Sequence, residues 1–96
     1  MQAMQIEFDK AKSDACFEQR GFDFEYAAHA FLDEARTVQK DGRADYGEDR
    51  YQLLGRIEGR VFQVVYTFRG QVVRIISARK ANAREVKHYE HCSHQA

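Results

Sequence analysis

The sequence predicts an α+β domain of two layers, an antiparallel sheet with helices packed on it, in the order β-α-α-β-β-β-β-α. Three observations predict it. Residues 60–68 and 71–79 are β-prone runs on either side of a glycine turn. Phe24, Ala27, Ala28, Phe31 and Leu32 recur at helical spacing and form one apolar face. Strands that follow one another through tight turns pair antiparallel, so the helices can bury apolar surface only against that sheet.

The elements follow in order. Gln5–Phe8 alternates apolar and polar residues and reads as an edge strand. Asp9 offers an N-cap for a helix through about Arg20, and Gly21 suits its C-terminal stop. Asp23 caps a second helix. Thr37–Gln39 reads as a strand, and Lys40–Asp49 as a polar loop with a turn at Asp41-Gly42. Arg50–Arg56, Arg60–Phe68 and Gln71–Arg79 are strands joined by turns at Glu58-Gly59 and Arg69-Gly70. Asn82 caps a last helix to about Cys92. Alternation sends Phe62, Val64, Tyr66 and Phe68 to the core, and Gln63, Val65, Thr67 and Arg69 to the other face. In the last strand Val73, Ile75, Ser77 and Arg79 alternate with Arg74, Ile76, Ala78 and Lys80, and the first set is the core-side one at the start of the strand, leaving Arg74 on the open face. One bulge would reverse part of that assignment.

Ninety-six residues suit one domain, with a core over about 6–90 and a flexible tail at 93–96. The apolar share of 44% and charged share of 31% are those of a globular chain. No run approaches the ~20 apolar residues of a membrane span. The N-terminus has no basic, apolar leader pattern, and Cys16 and Cys92 lack metal or disulfide spacing, so a reduced, cytoplasmic setting is expected. Cys92 lies near His88, His91 and His94, but tail residues without a fixed backbone rarely form metal sites. Neither a metal nor a cofactor is expected; there is no Gly-rich phosphate loop or paired-carboxylate site.

Charge carries the functional lead. Residues 1–50 hold 7 Lys/Arg against 12 Asp/Glu, whereas residues 51–96 hold 8 against 3. The basic set is Arg60, Arg69, Arg74, Arg79, Lys80, Arg84 and Lys87. Arginine forks match phosphate oxygens in two-point contacts, so a nucleic-acid backbone is the natural partner. Solvated surface charge, some of it paired with the acidic half, is the bland alternative. Glu85 stands three residues after Asn82, the spacing of a capping box, and is also a candidate general base for a ribose 2′-OH. Tyr89, one turn on, is either a packing residue or a base-stacking one. His88 is an acid–base candidate or an exposed helix histidine. Ser77 has no acid–base partner that the sequence places.

The stretch Arg74-Ile75-Ile76-Ser77-Ala78-Arg79-Lys80-Ala81, followed by Arg84-Glu85 and Tyr89, resembles the C-terminal signature of the BrnT family. Phe8-Asp9 with Lys12, Gly21 with Phe24-Glu25 and Ala27, Gly55, and Val64-Val65-Tyr66-Thr67 also match in order, so the resemblance spans about residues 6–90. It implies a RelE-like fold and a type II toxin: a metal-independent ribonuclease that arrests growth. It also implies a BrnA-like antitoxin that covers the toxin and reaches operator DNA on its behalf. Carried over residue by residue, it points to Arg60, Arg74, Arg79, Glu85 and Tyr89. Arg74 and Arg79 are expected to hold the phosphate, Glu85 to act as base, Tyr89 to stack or orient, and Lys80 and Arg60 to track the backbone. Four positions depart from the family pattern: Phe8 where Trp is frequent, Cys16 where Asn is, and Gln19 and Arg20 before Gly21 where the family has Lys-His-Gly. The missing histidine leaves either Arg20 as a phosphate contact or a member of altered activity. The rival reading is a non-catalytic nucleic-acid-binding or protein-interaction domain that keeps the fold.

Overall fold

The computed structural model describes residues 4–42 and 47–93. The elements are β1 (Ile6–Phe8), α1 (Lys10–Arg20), α2 (Phe24–Ala27) with a 3-10 segment (Ala28–Leu32), β2 (Thr37–Asp41), β3 (Arg50–Ile57), β4 (Arg60–Arg69), β5 (Val72–Lys80) and α3 (Ala83–Ser93). The five strands form one sheet in the order β1-β5-β4-β3-β2. β1 pairs parallel with β5, whereas β2 through β5 are antiparallel, so the sheet is mixed rather than antiparallel throughout. The α1–α2 connection carries the chain from β1 at one edge of the sheet to β2 at the other, so β1 and β5 are joined by no tight turn and are free to pair in parallel. Among the described residues no helix is long and apolar enough to cross a membrane.

Local signals set the boundaries. Asp9 Oδ1 accepts from the Lys12 amide at 3.0 Å, and Gly21 closes α1 with φ 85° and its N–H on the Phe17 carbonyl at 2.9 Å. Asp23 Oδ1 accepts from the Tyr26 amide at 2.8 Å. Glu58 and Gly59 both have positive φ (49° and 84°), as a type I′ hairpin requires. β2 runs to Asp41, beyond the expected Gln39, because Lys40 and Asp41 pair with Tyr51 and Arg50. Half of the remaining expected loop, 43–46, lies outside the described residues, as does His94.

The main core fills one face of the sheet. Phe24, Ala27 and Ala30 are buried against Phe62, Val64 and Ile75. The second helix was expected to bury one α-helical stripe, but it tightens into 3-10 geometry with three residues per turn. Ala30 therefore follows Phe24 and Ala27 inward, while Leu32 is 75% exposed. This segment lies so close to β3 that a Cβ on Gly55 would stand 2.5 Å from the Ala30 carbonyl oxygen. Phe68, assigned to the core by alternation, is exposed near the end of β4.

Two further departures decide the site. The β4–β5 register shifts at Val65/Tyr66: Val65 faces Ser77, Tyr66 faces Ile75, and Ile76 is left over as a bulge. Alternation reverses across it, so Ala78 turns into the core and Arg79 turns out of it. Arg74 and Arg79 are five residues apart, which unbroken alternation would put on opposite faces, and they thus share one. The second departure is α3, which packs on the face opposite α1 and α2. There Tyr89 and Val86 join Leu54, Val61 and Ala81 in a small second core.

Candidate functional site

The second face of the sheet carries a cleft of about 240 Å³ between α3 and the β2–β3–β4 floor. Strand register builds the floor: Thr37 lies opposite Leu54, Gln39 opposite Gln52, and Leu54 opposite Gln63. Arg84, Glu85 and His88 form the helical wall. Spacing of three and four residues puts these side chains on one side of α3.

Asn82 and Glu85 form the predicted capping box: the Glu85 amide donates to Asn82 Oδ1 at 2.8 Å, and the Asn82 amide to Glu85 Oε1 at 3.0 Å. The box fixes Glu85, which then accepts two parallel bonds from Arg79, each 2.8 Å, and one from Gln63 Nε2 at 3.1 Å. The Arg79 bonds, against an opposing effect of burial and with help from the Asn82 amide, hold the Glu85 carboxyl below the usual range. Such a carboxylate is a firm anion and, while Arg79 holds it, a weak base.

The remaining sequence-predicted residues separate. Arg74 shares the face of Arg79 but pairs across the strand register with Glu7. Their partners on β4, Thr67 and Gln63, are four residues apart, about 13 Å of strand. Arg69 stands exposed at the far end of β4 on the same face, and Arg84 and Lys87 are exposed on α3. Lys80 lies with Arg20, Phe17 and Tyr26 in a second cleft on the α1 side, and Arg60 has the register of that side at the β3–β4 hairpin. The basic set therefore spans two faces.

Tyr89 does not present its ring for stacking. It is 3% exposed, the Arg56 guanidinium lies over its ring at 5.3 Å, and its hydroxyl donates to Asp33 Oδ2. Asp33 had no sequence signal beyond following a helix. It accepts from the Arg56 amide at 2.7 Å and the Ala35 amide at 2.9 Å, so one carboxylate ties the 3-10 segment, β3 and α3 together. Burial raises the Asp33 carboxyl, but the Tyr89 and backbone bonds outweigh it and hold the group below its ordinary value. The glutamines of the floor were also missed, because only the cross-strand register gathers them.

Of the departures noted in the sequence, Phe8 packs edge-on against Phe24 at 5.9 Å, and Cys16 is buried with its Sγ 3.7 Å from the Ala78 carbonyl oxygen. Arg20 lies on the α1 side, away from Glu85 and His88. Cys92 Sγ stands 3.7 Å from His88 Nε2, and among the described residues no group of three His, Cys, Asp or Glu is gathered as for a metal ion.

No curated protein matches the chain. The family profile described as ribonuclease toxin, BrnT, of type II toxin-antitoxin system matches residues 8–85, which takes in β2 through β5, the last residue of β1, α1, α2 and the Arg79–Glu85 pair. The chain belongs to the BrnT family of ribonuclease toxins of type II toxin-antitoxin systems.

Proposed function

We infer that this chain cleaves RNA itself, without a metal, at the cleft between α3 and the sheet. The observation that carries the reading is the Arg79–Glu85 pair at a cleft walled also by Arg84 and His88. An arginine fork, a carboxylate and a histidine together provide what transfer to a neighbouring hydroxyl needs. The ribose 2′-OH attacks the adjacent phosphorus, its proton goes to a base, and the departing 5′-oxygen takes a proton from an acid. The products are a 2′,3′-cyclic phosphate and a 5′-hydroxyl. Arg79 holds the phosphate and stabilises the charge that builds on its oxygens. As the phosphate draws the guanidinium away, Glu85 regains basicity and accepts the 2′-OH proton. His88, one turn along the same helix, is the acid. Arg74 and Arg69 meet neighbouring phosphates along the face, while Tyr89 positions α3 from inside the second core. In the cell this activity arrests growth, and a BrnA-like antitoxin silences it by covering the Arg74–Arg79 face; operator DNA is bound through that antitoxin.

The test is cleavage of a defined RNA in EDTA by wild type, Arg79→Ala, Glu85→Gln and His88→Ala, with the product ends identified. Removal of one transition-state donor lowers rate by about a hundred- to a thousand-fold. Wild-type rates in all three variants, or a metal requirement, would sink this mechanism. A non-catalytic binding module is the second reading, favoured by the full engagement of Glu85 in its cap and ion pair. It expects RNA binding with no cleavage by wild type.

A further inference from the structure

We propose that the floor of the α3 cleft is a nucleobase pocket that reads adenine, with Gln52 as the specificity-determining residue. The proposal rests on the ribonuclease reading for its biological sense but on separate atoms. Gln39 and Gln52 are direct cross-strand partners, and Gln63 lies one strand further on. Gln63 Nε2 is shared between Glu85 Oε2 at 3.1 Å and Gln52 Oε1 at 3.4 Å, which sets the Gln52 amide beside the Arg79–Glu85 pair.

The chemistry of the floor differs from that of the wall. Phosphate oxygens only accept, so a phosphate site wants donors alone. A carboxamide offers a donor and an acceptor side by side, which matches the edge of a base. Glutamine pairs with adenine in this way, donating to N7 and accepting from the N6 amino group. Leu54 lines the cleft with apolar surface, and the exposed Arg84 guanidinium supplies a plane on which a splayed base can stack. Arg79 holding a phosphate would therefore leave the adjoining base over Gln52.

The experiment titrates the full-length protein with 3′-AMP, 3′-GMP, 3′-CMP and 3′-UMP, following backbone and glutamine side-chain amides by NMR. Cleavage positions are mapped in parallel on an RNA containing all four bases. A bidentate pair contributes roughly 1–3 kcal/mol of discrimination, so 3′-AMP is expected to bind about five-fold or more tightly than the others. It should move the Gln52 amide resonances, and Gln52→Ala should abolish both the preference and any bias of cleavage towards adenine. Equal binding of all four nucleotides, or a preference that survives Gln52→Ala, overturns the pocket. Cleavage without base preference removes the pocket and leaves the ribonuclease reading standing. Selective 3′-AMP binding without cleavage does the reverse.

Discussion

Gly55→Ala tests the closest approach in the fold. The added Cβ would meet the Ala30 carbonyl oxygen at 2.5 Å, the Ala30 Cβ at 2.9 Å and the Ala30 carbonyl carbon at 3.1 Å. Two of these atoms are backbone, so no side-chain rotation relieves the contact. The 3-10 segment must retreat by most of an ångström, and it is not free to do so. Asp33, at its C-terminal end, is bound to the Arg56 amide next to Gly55 and to Tyr89. Overpacking of this kind costs about 1–3 kcal/mol, and the upper end applies where backbone must move. A gain of about 0.4–1 kcal/mol from a stiffer unfolded chain offsets part of it. The net loss is about 2 kcal/mol, or roughly 8–16 °C in Tm for a domain of this size. Gly42→Ala is the matched control: nothing lies within 4 Å of its added Cβ, so the unfolded-chain gain should appear alone. Urea unfolding of both variants gives the comparison. If Gly55→Ala proves as stable as Gly42→Ala, the packing of the 3-10 segment on β3 has been misjudged.

Three other outcomes are expected. Tyr89→Phe keeps the ring and removes the bond to Asp33, which retains its two amide donors; stability should fall by about 1.5 kcal/mol, as for a hydrogen bond to a charged group. Chemical denaturation measures this, and unchanged stability would contradict the anchoring role. Because the Glu85 carboxyl is depressed in the folded state, its pairing contributes stability that is full above the ordinary value of about 4.3 and is lost as pH falls through the folded value. Glu85→Gln should flatten that part of the stability–pH curve below about pH 4.3, and an identical acid limb in both proteins would refute the linkage. RNA affinity should fall steeply between low and moderate salt, because each phosphate neutralised by Arg79, Arg74 or Arg84 releases counterions. A salt-independent Kd would remove these residues from the interface.

The sequence by itself determined most of the local structure. Asp9, Gly21 and Asp23 bound the first helices, the Asn82–Glu85 box starts the last, and Glu58-Gly59 turns the chain between strands. These signals are legible because capping and turn chemistry act over three or four residues, within reach of one local pattern. The BrnT signature was legible for the same reason, as a run of chain from Arg74 to Tyr89. Tertiary structure decided what that run does. The leftover residue at Ile76 is visible only against the register of β4, yet it alone brings Arg79 onto the face of Arg74. The side of the sheet taken by α3 depends on Leu54, Val61 and Ala81 presenting a second apolar patch, and that choice buries Tyr89 and leaves His88 at a cleft. Asp33 and Gln52 become visible only when residues 56 and 11 positions away, respectively, arrive beside them. Pairing at such distances is set by the register and packing of the whole sheet, which no short window of sequence records.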